Sequence, residues 1–465
     1  MSHFEDDVLV PSCTCDTTGV FGSYFTPVNS RYFNAGRANV VNMPVYKYSL
    51  DEDGNATITG YSGSVSALAI PQTIDGHKVV AIGERAFKGT CLVNVTIPDT
   101  VTEIGDSTFA ECKQLSSVQL SNNLTILGKF AFGNCTSLTS IWIPKSLKTA
   151  DTSAFSGSPF AGCVALQSVE LETGMTKIPD NLFDSCPGFT TITIPDTVTE
   201  IGARAFAECK QLSSVQLSNN LTILGKFAFG NCTSLTSIWI PKSLKTADTS
   251  AFSGSPFAGC VALQTAELET GMTRIPNNLF SACSGLKTIT IPDTVTEIGS
   301  DAFSRSNLST IAIPDTVTEI GSDAFSDCKQ LSSVQLSTNL TRMDSYAFAN
   351  CTSLTSIRIP KSLEVSNWPF DGCSALQNVE FEQGITRIPD NLFYKCSGLT
   401  TVTVPDTVTD IGDYAFSSSS LSSIVIPDTV TDIGNYAFSD CTELKDVTLP
   451  NIRKNIVAGM FEGCT

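Results

Sequence analysis

Histidine is nearly missing from this chain, with only His3 and His77 in 465 residues. Imidazole-centred triads and multi-histidine metal sites are thereby excluded. No glycine-rich phosphate loop follows a strand either, and the scattered Asp and Glu recur at repeat positions where a solvated surface is the ordinary reading. No enzyme and no cofactor are expected. Basic residues are also scarce, 28 Lys and Arg against 46 Asp and Glu, for a net charge of −18. Such a balance repels phosphate backbones and anionic lipid heads, and no Lys or Arg run opposes it locally. Neither nucleic acid nor a membrane surface is an expected partner. No stretch of about 18 apolar residues is present to span a bilayer. Residues 1–20 begin acidic and lack the basic and apolar regions of a secretory leader.

Charge of either sign totals only 16% of the chain, so much of the polar surface must be Ser, Thr, Asn and Gln. What fills the chain instead is repetition. The stretch LSSVQLSTNLTRMDSYAFANCTSL, residues 331–354, places apolar side chains at Leu331, Val334, Leu336, Leu340, Met343, Ala347, Phe348 and Cys351 before Leu354 restarts the pattern. A period of 23 residues signals a solenoid. One coil buries too few side chains to offset the entropy of ordering it, so stability must come from stacked neighbours sharing a core and a parallel strand ladder. After an irregular first coil from Val65, with an insertion at Gly76 to Lys78, sixteen coils begin at or near a Leu between Leu92 and Leu444. At ~4.8 Å per parallel strand step the rod is roughly 80 Å long.

A longer period lies above the first. Ile97 to Gln167 and Ile194 to Gln264 are nearly identical and 97 residues apart, which is four coils. A third, diverged block runs from Leu308 to Gly398. Duplication of a four-coil block accounts for this without selection on each residue.

The expected organisation is an N-terminal cap and hairpin over residues 1–64 followed by the solenoid over 65–465. Phe21, Tyr24, Phe25, Tyr32 and Phe33 are enough aromatics to pack a small cap. Tyr46, Tyr48 and Leu50, then Ala56 and Ile58 beyond the turn DEDGN, alternate as a β-hairpin. Asp51, Asp53 and Asn55 carry the opening spacing of a calcium loop, but Ala56 stands where glycine is needed and Ser62 where the bidentate Glu belongs. The turn is therefore read as a plain acidic one, and no metal site is expected.

Within a coil the punctuation has physical reasons. Pro98, Pro195, Pro292, Pro314, Pro405 and Pro427 end their strands, because proline cannot extend a ladder. The Asp after each suits a turn. Ile-Gly pairs such as Ile104-Gly105 and Ile320-Gly321 then precede segments such as SDAFSDC, read here as one capped helical turn with glycine making the bend. Phe325 and Cys328, three apart, are expected to face inward from it. The resulting expectation is an α/β repeat solenoid. Of 17 cysteines, fourteen sit at one repeat position from Cys112 to Cys464. They are read as a buried column of reduced thiols acting as small apolar groups, with Cys13 and Cys15 the better candidates for a bridge.

The pattern L-x-x-[IV]-x-[IL]-P-x-x-[VL]-x-x-I-G-x-x-A-F-x-x-C resembles the BspA-like leucine-rich repeats of bacterial and protist surface proteins. LSSIVIPDTVTDIGNYAFSDCTE, residues 421–443, matches it throughout. The resemblance implies a right-handed solenoid at the cell surface or outside the cell. It also implies adhesion or binding to host matrix proteins, partner cells or other ligands, and no chemistry.

In Leu-x-x-Val-x-Leu the side chains two and four after the first Leu point away from the core. One outward row is small and polar, as at Ser117, Ser140 and Ser214. The other varies, and it supplies the candidate ligand-binding set: Trp142 and Trp239 as anchors, Gln119, Gln216, Glu170 and Glu267 as their flanks, and Gln335, Arg358 and Glu380 in the third block. An outward Trp between Gln and Glu suits a protein hot spot or a stacked sugar ring. The alternative for the pair is a single duplicated Trp covered by neighbouring side chains. Trp368, in the variable segment SNWPFDGC, is expected to pack. The reading is a protein-binding adhesion module. Polysaccharide binding by the same face is the alternative, and a structural spacer is the third reading. The last coil shows no polar cap, so either end-to-end self-association or a natural chain longer than this one is expected.

Overall fold

The computed structural model describes residues 44–150, 157–247, 254–449 and 459–464. Residues 1–43, including Cys13, Cys15 and the aromatic cap, lie outside the described residues. Apart from the coil at 399–405, the coils open with a strand of two to four residues, such as Asn94–Thr96, Ser140–Ile143 or Ser333–Gln335. These strands pair in parallel and in register within several short sheets, as Thr310, Ile311 and Ala312 do with Ser333, Val334 and Gln335. The strand ends at proline as expected, and the Pro-Asp-Thr-Val turn closes with Val101 N–H donating to the Pro98 carbonyl at 3.0 Å.

A second parallel ladder, not foreseen from the sequence, follows that turn. It is built of two-residue strands such as Glu103–Ile104, Ile126–Leu127 and Glu200–Ile201. Its inward Ile or Leu shares one hydrophobic core with the Val and Leu of the main ladder. The ladder breaks after Thr149–Ala150, Thr246–Ala247 and Glu364–Val365. The first two breaks fall at the long coils that close the two near-identical blocks, so the duplication is visible as segmentation of the sheet. The hairpin Val45–Leu50 with Ala56–Ser62 is present, pairing Leu50 with Ala56. Its second strand pairs in parallel with His77–Ile82, which starts this second ladder. Asp51 caps the turn, its carboxylate accepting from the N–H groups of Asp53 and Asn55 and from the Asn55 amide.

The helical turn is a correction, and with it the α/β class: among the described residues there is strand and turn but no helix. In the SDAFSDC segment Asp323 and Asp327 both have left-handed backbone, φ 55° and 56°. Donation alternates along it. Ala324, Ser326 and Cys328 donate back three residues within the coil, while Asp323, Phe325 and Asp327 donate to Ser345, Ala347 and Ala349 of the next coil at 2.7–3.0 Å. An α-helix needs every N–H for its own i−4 carbonyl, whereas here every second one joins the coils. Asp tolerates left-handed φ better than most residues, so a pattern that reads as a cap builds a double turn instead.

The role of the Ile-Gly glycines is a second correction. Gly105 and Gly434 are not left-handed, and neither are Gly128 and Gly225, which follow Leu at the same repeat position. A Cβ on Gly128 would lie 2.5 Å from the Gly105 carbonyl carbon and 2.6 Å from Asp106 N. Glycine is required because the backbone of the preceding coil passes directly against it.

Two columns run through the core. Phenylalanine rings stack from Phe87 to Phe461 with centroids 4.8–6.0 Å apart and planes within 25° of parallel. Tyr61 of the hairpin caps the column, 4.9 Å from Phe87. Beside it stand the cysteines. The fourteen column thiols are free, whereas Cys91 is disulfide-bonded. Each column thiol donates to the carbonyl of the phenylalanine one coil earlier, as Cys112 to Phe87 at 3.1 Å and Cys351 to Phe325 at 3.3 Å. The thiols therefore do more than fill space: they satisfy backbone acceptors. Where the column lacks cysteine, Thr90, Ser306 and Ser419 place a hydroxyl 3.2–3.3 Å from the next thiol.

Burial drives thiols of this column up, Cys328 to about 11 and Cys163 and Cys260 to about 12. The thiolate is the reactive form. A thiol reagent added to the native protein is thus expected to leave the column untouched, apart from the half-buried Cys464, until denaturant unfolds the array. Rapid stoichiometric modification of the column in native buffer would refute this packing.

Candidate functional site

The main-strand face carries the candidate residues, and alternation decides what is outward. In Ser117–Gln119 and Ser333–Gln335 the central Val is buried and both flanking residues are exposed. Gln119, Gln216, Gln335, Glu170, Glu267, Arg358 and Glu380 are all exposed, while Trp142 and Trp239 are half-buried. The indoles are neither folded into the core nor free in solvent: each lies on the sheet with part of its surface open.

Register brings the nine residues together as three clusters. Trp142 is paired with Glu170, Trp239 with Glu267 and Arg358 with Glu380 across adjacent strands. Gln119 and Gln216 lie on the strands before the two Trp strands. The Ser333–Ser356 pairing sets Gln335 beside Arg358. The clusters themselves remain apart, the two Trp clusters separated by four coils or roughly 19 Å along the ladder.

Electrostatics differ between the clusters. Arg358 is the only basic residue in the two outward rows, and its guanidinium lies 3.7 Å from Glu380 with both side chains more than half exposed. A pair so exposed contributes little and leaves both groups available. At the edge of the Trp strands, Glu172 and Glu269 reach back one coil. Each accepts from the backbone N–H of Lys145 or Lys242 at 2.9 Å, with the lysine ammonium 2.8 Å away. The bond from the lysine side chain, with that from its N–H, holds both carboxyls below the usual range. Asp196 and Asp315 clamp coils in the other direction, accepting from the N–H of Asn219 and Thr338 at 2.8–2.9 Å. These clamps fix the rim of the face and leave its centre to the outward rows.

The strand face is also concave over its C-terminal half, which the sequence pattern does not reveal. A groove of about 450 Å³ runs over Gln335, Ser356, Arg358, Asn378 and Glu380, walled by Pro360 and Glu382. Depressions of about 400 and 330 Å³ precede it, over Thr265, Glu267 and Thr290 and over Ala312, Pro314 and Gln335. Shared lining at Thr290 and Gln335 joins them into one trough from Glu267 to Glu380. Its walls are the Pro-Asp and Pro-Lys turns, read from the sequence only as strand ends.

A second set of aromatic groups lies at the surface, of which the sequence reading named only Trp368. At the first left-handed position of the double turn stand Phe130, Phe227, Tyr346, Trp368, Tyr414 and Tyr436. Trp368 does pack, as expected, but on the surface, between Tyr346 at 5.6 Å and Tyr394 at 6.2 Å.

With the repeat geometry in place, the comparison with known families is direct. A model described as the BspA type leucine-rich repeat region matches residues 80–159, 158–256, 255–376 and 364–465, which together cover the array. The chain belongs to the BspA-type leucine-rich repeat family. None of the curated proteins compared with it matches. Among solved structures, this BspA-type chain is similar to a leucine-rich repeat protein from Bacteroides ovatus, 28% identical over 91% of this chain and 92% of that one, with a TM-score of 0.46. It is also similar to a leucine-rich cell surface protein from Faecalibacterium prausnitzii, 26% identical over 88% and 94%, with a TM-score of 0.32. The pneumococcal vaccine antigen PcpA is 18% identical over 84% and 91%, with a TM-score of 0.38.

Among the described residues no helix is long and apolar enough to cross a membrane, and no group of three or more His, Cys, Asp or Glu is placed to hold a metal ion.

Proposed function

We propose that this BspA-type protein is a non-catalytic binding module, at the cell surface or outside the cell, that holds a protein partner on its main-strand face. The observation that carries the reading is the pair of half-exposed tryptophans, each in register with an exposed Glu on an otherwise small and polar sheet. Trp is over-represented among residues that dominate binding energy, and neighbouring Ser and Thr leave its ring accessible. With a net charge of −18 and one basic residue in the outward rows, the complementary partner surface carries basic groups around an apolar pocket.

The test is binding of the intact chain to an immobilised panel of matrix glycoproteins, alongside a glycan array. Trp142→Ala combined with Trp239→Ala is expected to weaken protein binding at least about 30-fold, the loss of a hot spot worth about 2 kcal/mol. Arg358→Glu is expected to act separately, on the trough. Protein binding that survives the double substitution would overturn the reading. Glycan binding lost in the same variant would assign the face to polysaccharide instead.

A further inference from the structure

The outward row that carries the tryptophans has a period of its own. Gln, Trp, Glu and Thr follow one another on successive coils from Gln119 to Thr193 and again from Gln216 to Thr290. The second cluster repeats the first in contacts as well as in sequence. Trp142 stands in register with Glu170 and Trp239 with Glu267, and the ion pairs at their edges, Lys145 with Glu172 and Lys242 with Glu269, are both 2.8 Å. Duplication of the block explains why the copies agree. Stacking of the coils fixes how far apart they stand, four coils or roughly 19 Å at ~4.8 Å per step. The interval is low and polar: between Glu170 and Trp239 the row holds Thr193 and Gln216, with Thr191 and Ser214 beside them, all exposed.

That spacing selects among partners. A compact domain of about 100 residues has a radius of gyration of about 13 Å and is more than about 30 Å across. Two such domains cannot sit side by side on clusters roughly 19 Å apart, so both clusters are occupied together only when one partner chain engages both. An α-helix laid along the row advances ~1.5 Å and turns ~100° per residue, so after about 12 or 13 residues its next side chain points roughly 120–140° away from the first. An extended segment returns to the same face every second residue. It covers about 20 Å in about six residues at ~3.3 Å each, and thus reaches the second indole with its side chain again facing the sheet. Its backbone N–H and C=O groups need partners, and the Gln amides with the Ser and Thr hydroxyls of the two rows supply them. The Glu in register with each Trp calls for a positive charge beside the apolar side chain that covers the indole. A neutral sugar chain lacks that charge, and a polyanion is repelled.

We infer that the two tryptophan clusters act as one bidentate site for a single extended segment of the protein partner, lying along the rod with an apolar and basic residue pair repeated six positions apart. The inference rests on the strand-face reading and adds the form and spacing of what is bound. Joining the two contacts makes the second intramolecular, so affinity rises without a new kind of contact.

The test uses fluorescein-labelled synthetic peptides of Ser and Thr that carry a Leu-Arg pair once, twice at a six-residue interval, or twice at a five-residue interval. Binding to the intact chain is followed by fluorescence anisotropy. The six-residue peptide is expected to bind at least about tenfold more tightly than the single-pair one. The five-residue peptide, whose second pair faces away from the sheet, is expected to bind like the single-pair one. Trp142→Ala or Trp239→Ala alone is expected to remove the advantage, and the two together to abolish binding. Glu170→Lys with Glu267→Lys, at exposed positions, is expected to weaken the six-residue peptide at least about tenfold with an unchanged circular dichroism spectrum. Equal affinity for the six- and five-residue peptides, a single Trp substitution that costs only the roughly twofold statistical factor of two independent sites, or no binding by any peptide would each overturn the inference. Single-pair binding lost in the double Trp variant, with no advantage of spacing, would overturn the bidentate site and leave the strand-face reading standing. Peptide binding indifferent to both Trp substitutions would overturn both.

Discussion

Replacing Phe229 by alanine is expected to destabilise the array by about 3–5 kcal/mol, the usual cost of truncating a fully buried aromatic ring. Phe229 is 0% exposed and lies between Phe206 at 5.3 Å and Phe257 at 5.7 Å. Both faces lose contact at once, and the rigid coils on either side cannot collapse into the space. In a one-dimensional array each coil depends on its neighbours, so the defect also weakens the coupling between the two halves. Guanidinium denaturation should show an earlier transition that broadens or divides. Phe130, two residues before the core ring of its own coil, is 40% exposed, and Phe130→Ala is expected to cost far less. Equal losses at the two positions would contradict the ring column as the structural axis.

Gly225→Ala is expected to be disproportionately harmful for the addition of one methyl group. The new Cβ would stand 2.4 Å from Ala203 N and 2.5 Å from the Gly202 carbonyl carbon. Both are backbone atoms of the preceding coil, so no rotamer change relieves the clash and the coils must separate locally. Overpacking of this kind costs about 1–3 kcal/mol and sometimes more. The hydrogen bond from Gly225 N–H to the Ile201 carbonyl, 2.8 Å, is stretched by the same movement. Gly60→Ala is the control, since its nearest neighbour is a flexible Lys47 side-chain carbon at 3.4 Å. Chemical denaturation of the two variants should separate them clearly. A near-neutral Gly225→Ala would show that the coils are not in the close contact described.

The contrast between these positions explains what could be read from the sequence. The 23-residue period, the outward rows and the three clusters around Trp142, Trp239 and Arg358 follow from alternation in strands of three to four residues, which survives as a pattern. The second ladder does not, because two residues carry no periodicity. Gly105 looked like a bend residue, since a sequence records that glycine is present but not whether φ or a neighbouring backbone demands it. Asp323 and Asp327 fit a helix cap and a left-handed turn equally well, and only the donation of alternate N–H groups to the next coil decides between them. The stacking of Tyr346 on Trp368 and of Tyr414 on Tyr436 was hidden because left-handed φ sits at a variable repeat position, where an aromatic residue is unexpected.

The most direct test of the whole account is a distance along the strand face. Spin labels carried on ketone-bearing amino acids at positions 117 and 333 would avoid the native cysteines and report the spacing of nine coils. The account predicts a single narrow distribution near about 43 Å, at ~4.8 Å per step. A broad distribution, or one centred beyond about 60 Å, would mean that coils do not stack in register at the strand spacing, and the continuous binding face would be lost with them.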